Sequence, residues 1–196
     1  MCIRDRINIV CINIIYEIIN TNEFYSDKIR RMKKTLILWR HAQAEIGNDD
    51  FNRAIDERGI KESKMMSKFL LSNASPDLIL SSPARRAQET LESFSDLFPL
   101  KKSNIDKNLY LAEPEKIVQS IIENADKEDT ILIVGHNPGI HELSLLLTNN
   151  NPDLMVEFST CSMSFISFNN DNWYDFDTKK CLLERFIRPK DLKTNY

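Results

Sequence analysis

Three short apolar runs, each stopping on basic side chains, constrain this chain more than any other feature. Leu36-Ile37-Leu38-Trp39 stops at Arg40-His41-Ala42, and Ile131-Leu132-Ile133-Val134 stops at Gly135-His136-Asn137. Leu78-Ile79-Leu80 runs through Ser81-Ser82-Pro83-Ala84 into Arg85-Arg86. From Thr35 onward, strand-like runs alternate with helix-like stretches, the pattern of a mostly parallel α/β sheet with helices on both faces. The spacing predicts strands near 35–40, 77–81, 130–135, 160–168 and 181–187, and helices near 57–72, 84–97, 114–124 and 138–148. Asp56 is placed to cap the first helix, and Glu115, after Pro114, suits the first turn of the third. Asn169-Asn170-Asp171-Asn172 is a turn signal. The last two strands should therefore form a hairpin, giving an antiparallel edge with Trp173 packed against it. The polar tail after Pro189 is expected to fray.

In an open α/β sheet, ligands bind outside the carboxyl ends of the strands. Two of the three histidines, His41 and His136, end strands there; His141 lies a turn further on and reads as an ordinary helix residue. A single histidine at a strand end is more often a hydrogen-bonded structural residue, and a single arginine there a solvated one. The coincidence of three such strand ends points instead to one site for a phosphoryl group.

The 196-residue length suits one domain with an ample core. A net charge of −3 gives no bulk basic field, so nucleic acid is not an expected partner. The four cysteines show neither Cys-x-x-Cys spacing nor a histidine at metal-ligand spacing. They read as free thiols of a reducing, cytoplasmic compartment, with Cys161 and Cys181 placed in strands. No metal or cofactor is expected. Ile7 to Asn20 is apolar, but Asn8, Asn13 and Glu17 interrupt it and it is too short to span a membrane. Met1-Cys2-Ile3-Arg4-Asp5-Arg6 matches the translation of a transposon-end adapter used in sequencing libraries, and Met32 resembles a natural start. Residues 1–31 are therefore expected to be a non-native or disordered leader, and residues 32–196 the single domain.

Arg40-His41-Ala42 resembles the Arg-His-Gly triplet of the histidine phosphatase superfamily, in the Arg-His-Ala form of its SixA-type phosphohistidine phosphatase branch. Asp50 to Gly59 resembles that branch's Asp-x-x-Arg-Pro-Leu-x-x-Arg-Gly segment, with Ala54 in place of the proline. Ser82-Pro83-Ala84-Arg85-Arg86-Ala87-Gln88-Glu89-Thr90 resembles Ser-Pro-x-x-Arg-Ala-x-x-Thr, a register that makes Arg86, not Arg85, the phosphate-binding arginine. Asn108 to Ala112 and Val134 to Gly139 also match, so five motifs run in order from about Lys33 to about Phe176.

The resemblance implies a three-layer α/β/α sandwich like phosphoglycerate mutase. It also implies hydrolysis through a phosphohistidine intermediate on His41, with Arg40, Arg86 and His136 as phosphate ligands and Arg53 and Asn137 as further binding residues. His41 must then be neutral, one ring nitrogen facing phosphorus and the other held by an acceptor such as a backbone carbonyl. Arginine offers planar forks matching phosphate oxygens, and His136 would stabilise the equatorial oxygens as a cation or donor. Many relatives protonate the leaving alkoxide with a carboxylic acid; here Glu113, Asp49 and Asp50 are the candidates, each also readable as a solvated loop carboxylate. Short connections at 42–56 and 100–109 imply a shallow, open site suited to a phosphorylated protein, such as a histidine phosphotransfer domain or a phosphocarrier. The alternatives are a broader phosphomonoesterase on the same site, or a non-catalytic phosphoprotein-binding module.

Overall fold

The computed structural model describes residues 33–97, 102–169, 172–174 and 181–192; the expected leader lies outside them. Its six strands are β1 (Lys33–Arg40), β2 (Leu78–Ser81), β3 (Ser103–Ile105), β4 (Thr130–Gly135), β5 (Met163–Asn169) and β6 (Cys181–Ile187). Its helices are α1 (Glu57–Asn73), α2 (Arg85–Ser95), α3 (Pro114–Asn124), α4 (Gly139–Leu147) and α5 (Pro189–Leu192). The sheet order is β3-β2-β4-β1-β5-β6. The first four strands in that order pair in parallel, and β5 and β6 add an antiparallel edge.

The apolar runs are continuous because both faces of the central strands are covered. Successive side chains point to opposite faces. Leu36, Leu38, Leu80, Ile131 and Ile133 share one cluster with Ile117, Ile121, Ile140 and Leu143 of α3 and α4. Ile37, Trp39, Ile79, Leu132 and Val134 share the other with Met66 and Leu70 of α1 and Leu91 and Phe94 of α2. Each of these side chains contributes roughly 1.5–3 kcal/mol by leaving water. The result is a three-layer α/β/α sandwich of the phosphoglycerate mutase type.

Helix ends follow local chemistry. The Asp56 side chain accepts from Gly59 N at 2.7 Å and caps α1. Pro114 and Glu115 occupy the first turn of α3. Two glycines permit close approach: a Cβ on Gly59 would stand 2.2 Å from Gln43 O, and one on Gly139 would stand 1.8 Å from Ala112 O. The second contact seats the 110–112 segment against the start of α4, beside His136.

Three expectations need correction. The 100–109 connection contains β3, which among the described residues pairs only with β2; its three residues, Ser-Asn-Ile, are too few, and two of them too polar, to carry a strand signal. Cys161 is buried but precedes β5, with φ of 64° in a turn where Ser162 N donates to Ser159 O. After Pro189 the chain forms α5 through Leu192, with Arg188 gripping Asp191 at 3.0 Å, instead of fraying at once; residues 193–196 of the tail lie outside the described residues. Trp173 is buried, its Nε1 donating to Glu128 O at 2.7 Å; of the predicted turn, residues 170 and 171 lie outside the described residues.

Candidate active site

β1 and β4 are register neighbours, with Arg40 opposite Gly135. The residues that follow, His41 and His136, therefore emerge side by side, with ring centroids 5.0 Å apart. Arg86, one residue into α2, reaches both. Its Nε donates to His41 Nε2 at 3.2 Å and its Nη2 to His136 Nδ1 at 3.2 Å. All three are nearly buried: His41 is 8% exposed, His136 2% and Arg86 2%. Arg85 points away, exposed and paired with Glu89 at 2.7 Å.

The partners assign the tautomers. His41 Nδ1 lies 2.7 Å from Ala42 O, which can only accept, so Nδ1 carries the proton and Nε2 a lone pair. His136 accepts from Arg86 at Nδ1, so its Nε2–H donates to Ser82 Oγ at 2.7 Å. Both imidazoles are held neutral. Burial pushes His41 down to about 3, helped by the nearby charges of Arg86, Arg40 and Arg53 and opposed by the bond to Ala42. Burial also lowers His136 to about 3, with His41, Arg86 and Arg40 adding to the shift and Asp50 opposing it. A neutral His136 has no proton left for a phosphate oxygen. It can donate at Nδ1 only after gaining a proton, which an arriving anion would favour.

Arg40 ends β1. Its Nη1 donates to Phe158 O at 2.8 Å, while its Nε is buried with no acceptor among the described residues. Asn137 donates to the same carbonyl at 3.0 Å, and its Oδ1 is likewise buried without a partner. Thr90 ties the two halves together: its hydroxyl accepts from Ala42 N at 2.9 Å and donates to Arg86 O at 2.6 Å. His141 stays in α4, bonded to Leu154 O at 2.8 Å and apart from these groups.

The 42–56 connection enters the site. Asp50 accepts from Arg86 Nη2 at Oδ2 (3.0 Å) and from Arg86 Nη1 at its backbone carbonyl. Arg53 donates to Asp50 Oδ1, and the Tyr110 hydroxyl donates to Oδ2 at 2.7 Å. These hydrogen bonds hold the Asp50 carboxyl far below the usual carboxylate range, and the Asp50 bond raises Tyr110. Asp49 instead bonds Asn52 at 2.7 Å, and Glu113 is exposed at the head of α3. Tyr110 stands edge-on to His136 with centroids 5.6 Å apart, and Phe51 stacks edge-on against Tyr110 at 5.1 Å. Sequence reasoning did not single out Tyr110, Ser82 or Thr90, although all three stand in the segments quoted above. Among the described residues no group of three His, Cys, Asp or Glu could hold a metal ion, and no helix is long and apolar enough to cross a membrane.

Comparison with known proteins places the chain by family and by fold. The model of the histidine phosphatase superfamily (branch 1) matches residues 36–110. An uncharacterised protein of Mycobacterium leprae is 32% identical over 114 residues, 57% of this chain and 69% of its own. A chloroplastic protein of Arabidopsis thaliana is 25% identical over 166 residues, 78% of this chain and 74% of its own. Among solved structures, a Nakamurella multipartitia protein provisionally named phosphohistidine phosphatase SixA superposes with a TM-score of 0.72 at 21% identity, covering 80% of this chain and 96% of that one. The protein histidine phosphatase SixA complexed with tungstate superposes with a TM-score of 0.68 at 18% identity, covering 81% and 99%. These last two share the fold. Motif order, strand-end geometry and sequence identity converge: the chain belongs to the histidine phosphatase superfamily, and with it to the phosphatase class of hydrolases.

Proposed function

We propose that the chain removes the phosphoryl group from phosphohistidine on a protein, by way of a phosphohistidine intermediate on His41. The observation that carries this reading is the His41 ring itself. Nδ1 is tied to Ala42 O, so the Nε2 lone pair is aimed at the Nε–H edge of Arg86. A phosphoryl group entering between His41 and His136 takes over that Arg86 edge and the unpartnered Nε of Arg40. His41 Nε2 bonds to phosphorus in line as the P–N bond to the substrate imidazole breaks. Water then attacks the phosphorylated His41, releasing inorganic phosphate and restoring the free ring.

Leaving-group chemistry supports a P–N substrate. An alkoxide needs a proton as it leaves, but Asp50 is held ionised by three donors, and Asp49 and Glu113 face solvent. A phosphoimidazole protonated from water on its other ring nitrogen departs as neutral imidazole, far less basic than an alkoxide, and needs no acid from the site. Rapid quench with labelled substrate should trap an acid-labile, base-stable phosphoenzyme that His41→Ala does not form. Comparing kcat/KM for a phosphohistidine carrier protein, phosphoserine peptides and sugar phosphates at one pH decides the substrate class. Faster hydrolysis of a sugar phosphate or phosphoserine peptide would make the chain a general phosphomonoesterase.

A further inference from the structure

Arg86 has five N–H donors, and the fold spends four of them on two different edges. The inner edge, formed by Nε–H and one Nη2–H, faces His41 and His136 through two bonds of 3.2 Å each. The outer edge, formed by Nη1–H and the second Nη2–H, is taken by the carbonyl and carboxylate of Asp50. Asp50 is itself fixed, by Tyr110 on Oδ2 and Arg53 on Oδ1. Its loop is fastened to the same helix, because Arg85 N donates to Phe51 O at 3.0 Å.

From this division of donors we infer that Asp50 is a positioning residue for Arg86, itself pinned by Tyr110. It grips the outer edge of the guanidinium so that the inner edge is presented, flat and parallel, between the two histidines. The long bonds to the histidines yield to phosphate oxygens, while the outer bonds persist. The inference rests on the phosphatase reading but concerns how its arginine is aimed. An arginine free to rotate would offer the phosphoryl group one bond where the clamped one offers two, and would lose the geometric match of a bidentate pair. Two other roles make opposite predictions. A carboxylate competing with phosphate for Arg86 would tighten anion binding when neutralised. A proton donor would leave anion binding alone and affect only substrates with alkoxide leaving groups.

The test compares wild type, Asp50→Asn, Tyr110→Phe and the double variant, with melting temperature confirming the fold of each. Tungstate affinity by calorimetry reads the anion site without turnover, and KM and kcat are followed on a phosphohistidine protein and a phosphoserine peptide. Asp50→Asn should weaken tungstate binding and raise KM about tenfold, as loss of a charged hydrogen bond does, with a smaller change in kcat. Tyr110→Phe should move both the same way by less. The double variant should be no worse than Asp50→Asn alone, because Tyr110 acts through Asp50. Tighter tungstate binding in Asp50→Asn overturns the inference in favour of competition. Unchanged tungstate binding, with kcat lost only on the phosphoserine peptide, overturns it in favour of proton donation. A wild-type chain that binds no tungstate defeats the phosphatase reading itself. Normal tungstate binding without turnover defeats the proposed reaction and leaves the clamp standing.

Discussion

The two walls of the site are built differently. His41, His136 and Arg86 stand at the ends of β1 and β4 and the start of α2, on a core whose central residues are fully buried. Asp50, Phe51, Arg53 and Tyr110 stand on connections between elements, and Phe51 is 39% exposed. The first wall takes its geometry from sheet register and close packing, which tolerate little drift. The second is held by hydrogen bonds to side chains of the first. Chemistry that needs fixed distances sits on the regular elements; the connections aim and enclose it.

The sharpest way to break this contrast is through stability. Leu132→Ala, in the middle of β4, should destabilise the fold by about 2–5 kcal/mol, whereas Ile46→Ala on the connection should change it by no more than about 0.5 kcal/mol. Denaturant unfolding of both variants checks this; equal losses would mean the connection is part of the cooperative core. The next effect is catalytic. Arg86→Ala should lower kcat/KM by an equivalent of about 2–4 kcal/mol, and Arg85→Ala, one residue away, should change it little. A comparable loss in Arg85→Ala would move the phosphate-binding edge to the wrong face of α2.

The smallest effect is on pH dependence. His41 and His136 titrate near 3 when folded and near 6.5 when unfolded. Between those values the unfolded chain binds protons that the native one refuses. Stability is therefore full above pH 6.5 and lost as pH falls towards 3. The change from pH 7 to pH 6 should be on the order of 1 kcal/mol for the pair, and His136→Gln should reduce it. The acid limb of kcat/KM, corrected for substrate ionisation, should lie well below pH 6.5. A limb at 6.5 would show that the rigid wall does not desolvate its nucleophile.

The same division decides what was legible in the sequence. The apolar runs ending in Arg40-His41 and His136 announce strands and strand ends, because burial on both faces leaves no polar residue to blur the pattern. The neighbouring placement of those two strands, which brings the histidines to 5.0 Å, is a long-range register that no local pattern encodes. Asp50 was visible as a motif residue but indistinguishable from a solvated carboxylate, since its three side-chain partners come from Arg53, Arg86 and Tyr110, far apart in the chain. Tyr110 carried no signal of chemistry at all: its role lies in one hydroxyl bond made across 60 residues. β3 was missed because an edge strand of three residues, two of them polar, owes its form to its neighbour β2, not to itself.

The Thr90 hydroxyl has a mechanical consequence. By accepting from Ala42 N and donating to Arg86 O, it makes the strand end that carries His41 and the helix turn that carries Arg86 share one hydroxyl. The two backbone segments are thereby coupled: a displacement of the strand end is passed to the helix turn, which preserves the spacing between the residues they carry, His41 and Arg86. A site linked in this way behaves as a single unit, with Asp50 bonded to its outer edge.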